Sequence, residues 1–466
     1  MLYLCLSLPQ LPLEARQPAS DEPVAVTDRR GSKRWLIACN HPAFDVGLRP
    51  GLNATTALTL RPDLRLAERS RSQELEALKS LAAWSEQFSG WVSYDAERLL
   101  LWMEVGSSLR YFQGLDVLRG RIESGLIQLG YCAAFGIAPT LEAAAALCRL
   151  DDPPAIDRTD MLVEAVRSLP LAALALDEDT ADALAGLGLH TFGELLALPR
   201  DSLARRFGPE LVDYLDRLTG AAPDPRTPYR APARYRRRFE LLGSVESTEG
   251  LLFPLRRLLH ELQGYLLGRD TALQAVQIEL RHDGIAPTQL EIRTTRPMRD
   301  AVRLFALVRE RLERTALPAP VEEIVIGADR FVPLGDTQIE LLDGGQRRDE
   351  GWAGLIDKLR ARLGDSAVRQ LGLRDDHRPE RAWCVIDGKA PAAEVPYQER
   401  PLWLMEPRPI GILPRRLGQP ERIEAGWLEG EDESRDYYIA ETEDGARLWL
   451  YRVGGKGQWY VHGLWA

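Results

Sequence analysis

Lysine is almost missing from this chain. Of 466 residues only Lys33, Lys79, Lys358, Lys389 and Lys456 are lysine, so the interval 80–357 carries none. Cationic work there falls to arginine, whose planar guanidinium suits bidentate and stacked contacts and keeps its charge. Cysteine is scarce as well. Cys5, Cys39, Cys132, Cys148 and Cys384 are scattered, with no C-x-x-C pair and no histidine at ligand spacing. That excludes a zinc module and a disulfide framework, and fits a reducing compartment. The six histidines form no H-E-x-x-H, so no metal site and no cofactor is expected. No apolar run approaches the length of a membrane span. The opening MLYLCLSLPQLPLEA lacks a basic flank, and Pro9, Pro12 and Glu14 stand where a cleavage site belongs. It reads as a buried first strand of a cytoplasmic protein with no membrane contact, not as a signal peptide. A positive balance is lacking too. The net charge is −10, which excludes a basic nucleic-acid coat and leaves only local patches for such contacts.

What is present is enough for three or four domains. Residues 1–8 alternate as a strand, and Val24–Val26 and Trp35–Cys39 pair around the basic turn 28–34. A helix follows at 69–88, two strands at 90–105, a helix at 115–129, a strand at 131–137 and an alanine-rich helix at 140–150. Antiparallel strands with interspersed helices predict an α+β multidomain chain.

The stretch Leu184–Gly220 reads as two helix-hairpin-helix units. Leu187-Gly188-Leu189 forms the first joint, and Thr191 caps the next helix with Glu194 closing a capping box. Pro199 and Gly208 punctuate the second pair. Such units hold a nucleic-acid backbone: glycine lets the main chain approach, and helix N–H groups meet a phosphate oxygen. The candidate DNA contacts are Gly186, Gly188 and Thr191, joined by Arg205 and Arg206. The proline-rich run 223–234 is a linker. Arg234, Arg236, Arg237 and Arg238 at its end give the electrostatic signature of backbone contact, the alternative being a solvated charged segment. Residues 235–332 then run strand-helix-strand-strand-helix-strand. Gln338-Ile339-Glu340-Leu341-Leu342 sits between glycines, and the end of the chain is an aromatic, all-β pattern.

These pieces, in this order, resemble the Y-family translesion DNA polymerases. The carriers are Ala43–Leu52 with its Gly47-Leu48-Arg49-Pro50-Gly51-Leu52 end, the Gly136-Ile137-Ala138-Pro139-Thr140 helix start, and the hairpin units. The chain is most similar to the bacterial ImuB branch, a catalytically inactive one, and the similarity runs its whole length. It implies palm and fingers over 1–165, a helix-hairpin-helix thumb over 166–222, a linker over 223–234, and a ferredoxin-like little finger over 235–334. A clamp-binding hinge follows at 335–347 and a C-terminal, β-rich partner-binding region at 348–466.

Polymerase chemistry needs carboxylates that hold two metal ions. The resemblance puts those ligands at Leu6 and Leu8 on the first strand and at Leu99 and Leu100 on the later hairpin, with Glu104 a non-ligand acid. A leucine offers no oxygen to a hard cation. His41 and Phe44 stand where the incoming phosphates would meet a tyrosine and an arginine, and Ala145 where they would meet a lysine. The resemblance therefore implies no catalysis and an adaptor role in error-prone translesion synthesis, in DNA-damage-induced mutagenesis and the SOS response. Its implied partners are DNA, the β sliding clamp through Gln338, Leu341 and Leu342, a catalytic C-family polymerase, and a RecA-like accessory protein of the ImuA type. The segment Arg435, Asp436, Tyr437 and Tyr438 would serve the last two. Two alternatives stay open: an active polymerase with displaced carboxylates, for which Asp95 and Glu97 are at hand, and a stand-alone DNA-binding protein.

Overall fold

A computed structural model describes residues 1–16, 22–333, 344–364, 367–374, 376–386, 399–411, 413–426, 430, 433–454 and 457–465. They form two compact units, 1–362 and 363–466.

The first unit begins with β1 (Tyr3–Ser7), α1 (Leu11–Glu14), β2 (Val24–Arg30), β3 (Lys33–Cys39), α2 (His41–Asp45), α3 (Ala54–Leu60) and β4 (Arg65–Glu68). Then come α4 (Arg71–Ser85), β5 (Val92–Asp95), β6 (Leu100–Glu104), α5 (Leu115–Gln128), β7 (Ala134–Ala138) and α6 (Leu141–Leu147). The strand expected at 131–137 starts later, at Ala134. The main sheet runs β5-β6-β1-β7, with β1 antiparallel to both neighbours. Period-two alternation decides what β1 buries on each face. Leu4, Leu6 and Leu8 join the core built with Leu78, Leu81, Leu118 and Ile122 of α4 and α5. Cys5 points the other way, into the core shared by Trp102, α6 and the helices that follow. Gly136 is required for this packing: a Cβ there would lie 1.9 Å from the Ala144 carbonyl oxygen. A smaller sheet, β3-β2-β4, carries α2 and α3 on its own core of Ala25, Leu36, Ala43 and Leu48.

The helical part comprises α7 (Leu162–Val166), α8 (Glu178–Gly186), α9 (Phe192–Leu196), α10 (Arg200–Phe207) and α11 (Pro209–Thr219). It packs on α6 through Leu184, Phe192, Leu195, Leu211 and Leu218. Residues 223–234 carry no helix or strand. They are nevertheless tied to the main sheet: Tyr229 donates its N–H to the Val92 carbonyl (2.7 Å), and Ser93 Oγ donates to the Thr227 carbonyl (3.1 Å).

The next module follows the expected order: β8 (Tyr235–Val245), α12 (Thr248–Gly268), β9 (Thr271–His282), β10 (Thr288–Met298), α13 (Ala301–Leu312) and β11 (Val321–Ala328). Its sheet runs β10-β9-β11-β8, and β12 (Phe331–Pro333) adds to β9. Both helices bury their leucines against the inward residues Phe239, Val276, Ile278, Leu290 and Ile324.

The helix α14 (Gly344–Leu363) belongs with this module and not with the tail. Asp357 is 4% exposed and accepts bonds from the N–H (2.7 Å) and hydroxyl (2.6 Å) of Thr295. On the same helix Trp352, Leu355 and Leu363 are exposed.

The second unit holds a hairpin, β13 (Gln370–Leu373) with β14 (Trp383–Ile386), and a five-stranded antiparallel sheet. The sheet consists of β15 (Trp403–Ile410), β16 (Arg415–Ala425), β17 (Glu433–Glu441), β18 (Arg447–Val453) and β19 (Trp459–Leu464), in the order β15-β19-β18-β17-β16. Its core is aromatic: Tyr437, Trp449 and Tyr451 with Ile423.

Candidate polymerase-like site and nucleic-acid surfaces

At the end of the main sheet, Leu6 and Leu8 are fully buried and Leu100 is 5% exposed. Leu6 lies between Leu101 of β6 and Phe135 of β7, and the Leu8 N–H donates to the Leu99 carbonyl (3.0 Å). Leu99 adopts φ +53°, the left-handed region that leucine seldom enters. Leu6, Leu8 and Leu100 are hydrocarbon packed in hydrocarbon, and burying each contributes roughly 2 kcal/mol, while Leu99 is half-buried against the core of Leu6 and Leu8. None of the four side chains carries an oxygen that a metal ion could bind. Among the described residues, no group of three or more His, Cys, Asp or Glu side chains is placed to hold a metal ion. Asp95 is occupied with the turn between β5 and β6, accepting from the N–H groups of Glu97 and Arg98 (3.0 Å each). The Glu104 carboxylate likewise serves local backbone, accepting from the Gly106 N–H (3.1 Å) and the Ser107 hydroxyl (2.7 Å).

A feature with no signature in the sequence lies beside the same turn. Arg98 makes a bidentate pair with Glu142 on the first turn of α6 (2.9 Å twice), and Arg226 reaches the same carboxylate (2.7 Å). Arg226 also lies over the Trp102 ring at 4.2 Å and pairs with Asp224 at 3.2 Å. Residues 98, 142 and 226 are too far apart in sequence for any motif to join them. The cluster fastens hairpin, helix and linker together with charge that is fully paired.

The positions expected to face incoming phosphates are also engaged elsewhere. His41 is exposed beside Asp45 (3.7 Å), Phe44 lies under the Arg49 guanidinium (4.9 Å), and Ala145 is buried at 3% exposure.

In the helical part, Gly188 takes φ +76° at the joint and nothing stands within 4 Å of the place its Cβ would occupy; the same space is open at Gly186. Thr191 caps α9: its Oγ1 accepts from the Glu194 N–H (3.3 Å), while Glu194 Oε2 accepts from the N–H groups of His190 (2.8 Å) and Thr191 (2.9 Å). Hydrogen bonds from the His190 and Thr191 N–H groups hold that carboxyl below its ordinary range. Arg205 and Arg206 lie exposed in the last turn of α10, and the second joint is Gly208 at φ +88°.

The arginine run at the start of the little-finger-like module divides by strand parity. Arg234, Arg236 and Arg238 are exposed, whereas Arg237 is 3% exposed and turns inward with Tyr235 and Phe239. Its Nε donates to Glu261 at 3.0 Å. Arg237 thus belongs to the interior and not to a DNA-facing surface, because alternate side chains of a strand face opposite ways. On the open face of that sheet the remaining cations meet carboxylates. Arg238 is bidentate on Glu323, Arg281 bridges Glu279 (2.6 Å) and Glu323 (3.3 Å), and Arg293 pairs with Glu291 (2.9 Å). Arg236 stands 3.9 Å from Glu279.

Gln338, Leu341 and Leu342 lie outside the described residues. Arg435, Asp436, Tyr437 and Tyr438 are all buried, at 9%, 4%, 1% and 7% exposure. Arg435 pairs with Glu380 (2.9 Å), the Tyr437 hydroxyl bonds His462 Nδ1 (2.7 Å), and Asp436 holds Arg422 (2.8 Å). This segment builds the sheet. Little of these four side chains is left at the surface for a docking partner to touch.

No family model matches the chain. Among curated proteins, Protein ImuB of Caulobacter vibrioides is 30% identical over 459 residues, covering 90% of this chain and 100% of that protein. DNA polymerase IV of Shewanella pealeana is 25% identical over 282 residues, 59% of this chain and 78% of that one. Among solved structures, DinB from Sulfolobus solfataricus covers 72% of this chain and 100% of its own at 13% identity and a TM-score of 0.39. An insertion ternary complex of Dbh DNA polymerase covers the same shares at 12% identity and a TM-score of 0.41. Among the described residues no helix is long and apolar enough to cross a membrane. The chain belongs to the ImuB family, relatives of the Y-family DNA polymerases.

Proposed function

We propose that this chain is a non-catalytic polymerase homologue that serves as an adaptor in error-prone translesion synthesis. The observation that carries the reading is the leucine core at the end of β1. Leu6, Leu8, Leu99 and Leu100 stand where the family resemblance expects metal ligands, and the first two are sealed from water. A site of this kind activates no primer hydroxyl. The fold then serves by placing other proteins at the primer end. DNA would be held through the phosphate backbone by the hairpin units around Gly186, Gly188 and Thr191, with Arg205, Arg206 and Arg234 as exposed cations. The clamp would be bound through Gln338, Leu341 and Leu342. A C-family polymerase and a RecA-like accessory protein would be recruited by the second unit, on surfaces other than the buried segment 435–438.

The test is primer extension by the purified chain in magnesium and in manganese. No template-dependent incorporation is expected with any nucleotide. The rival reading, a polymerase using displaced carboxylates, draws on the DNA polymerase IV relatives and on Asp95. Incorporation that Asp95→Asn abolishes would establish that rival and remove the adaptor reading.

A further inference from the structure

The two faces of the second unit's sheet differ in kind. One is closed: Tyr437, Trp449 and Tyr451 form the core there, Arg400 lies over Trp449 at 5.0 Å, and Glu380 reaches Arg435 and His462. The other carries a layer of aromatic rings and guanidinium groups. Tyr438 and Trp459 meet with their centroids 5.1 Å apart. Arg416 lies 5.3 and 5.7 Å from the two rings, and Arg452 lies 5.8 and 5.3 Å from them. Directly paired residues of an antiparallel sheet share a face, so the register extends this surface. One row across the strands reads Trp403, Leu464, Leu448, Ala440, Arg416. Another reads Ile410, Trp459, Arg452, Asp436, Arg422. Each row has a tryptophan toward the β15–β19 edge and an arginine on β16. Arg416 is exposed, Arg422 is exposed with its charge on Asp436 (2.8 Å), and Trp403 is 67% exposed.

We propose that this face binds single-stranded nucleic acid, with bases stacking on Trp403 and on the partly exposed Trp459 while phosphates meet Arg416 on β16. Rings on one side and cations on the other match a strand whose bases are free on one edge and whose charge runs along the other. A duplex hides its bases and gains nothing from exposed tryptophan. An acidic peptide would engage the cations and leave Trp403 unused. The inference does not rest on the adaptor reading, since a strand-binding tail would serve an active polymerase equally.

The experiment is fluorescence anisotropy of the full chain with labelled oligothymidylate of about 16 nucleotides, beside a duplex of equal length. Arg416→Ala with Arg452→Ala, and separately Trp403→Ala, are each expected to weaken single-strand binding about tenfold or more and leave duplex binding unchanged. If the arginine pair unfolds the sheet, Trp403→Ala alone decides, because that side chain is largely exposed. Unchanged single-strand affinity in Trp403→Ala overturns the proposal. So does single-strand binding lost only with Arg205→Ala and Arg206→Ala, which assigns it to the hairpin units. Release of an acidic protein partner with single-strand affinity intact makes the face a protein-docking surface instead.

Discussion

Buried charge in the first unit is concentrated where α1, α4, β8 and α12 meet. Glu261, at 1% exposure, receives Arg237 at 3.0 Å and Arg257 at 3.4 Å, and the Ser80 hydroxyl donates to the same carboxylate. Arg257 donates to the Glu14 carbonyl at 2.7 Å and lies 4.2 Å over the Tyr131 ring. Removing one member of such a group leaves charge without a partner in low dielectric, so Glu261→Ala is expected to cost roughly 3–5 kcal/mol in chemical denaturation. Glu14 behaves oppositely. Burial raises its carboxyl from 4.5 to about 7, against the pull of the Cys132 N–H and of Arg257. An acid raised on folding favours the folded state most below its unfolded value, and that contribution disappears as pH rises through the folded one. The shift corresponds to about 3 kcal/mol lost between about pH 4.5 and 7. Glu14→Gln should therefore melt higher than the parent at about pH 8 and alike at about pH 5, as thermal scans across that range will read. Little of this was legible in the sequence. Arg237 looks the same as its neighbours Arg236 and Arg238, and only strand parity separates them. Glu14 stood out merely as an acid after an apolar run.

At the scale of elements, periodicity gave far more. The order of β8 to β11 with α12 and α13 follows from alternation and glycine or proline punctuation, and so does the capping box at Thr191. What periodicity does not contain is which elements touch. The joint between α4 and α12 depends on glycines that no pattern singles out: a Cβ at Gly264 would lie 2.0 Å from Trp84 Cδ1, and one at Gly268 would lie 2.8 Å from the Glu86 Cβ. Near contact of the two helices follows, with Trp84 filling the space. Gly264→Ala should force Trp84 aside and destabilise the joint by ~1–3 kcal/mol or more. The expected readout is faster proteolysis within 223–234, together with a lower melting temperature. A variant as resistant as the parent would show that Trp84 repacks freely. The attachment of α14 has no sequence signature for the related reason that its anchor is polar. Asp357 on Thr295 holds it, and an apolar stripe search passes over such a bond.

At the scale of the whole molecule, the candidate polymerase site was legible as residue identity and the handles only as sequence. Leucine at 6, 8, 99 and 100 was readable from the resemblance; that the first two are sealed in the sheet core required the fold. Two separable handles follow from the chain's division into two units. If the first unit holds DNA without reacting, clamp and polymerase must attach at separable places, and the peptide 338–342 precedes α14 while the second unit follows it. Short pocket-filling peptides owe most of their affinity to a few anchors. Changing Gln338, Leu341 and Leu342 together to Ala should then abolish clamp capture in a pull-down while DNA affinity and melting temperature hold. Truncation after residue 363 should do the reverse, keeping the clamp and losing the C-family polymerase and the RecA-like protein. A triple variant that still captures clamp normally would reduce the peptide to a coincidence of composition. The adaptor reading would then have to find its clamp contact elsewhere in the first unit, or give it up.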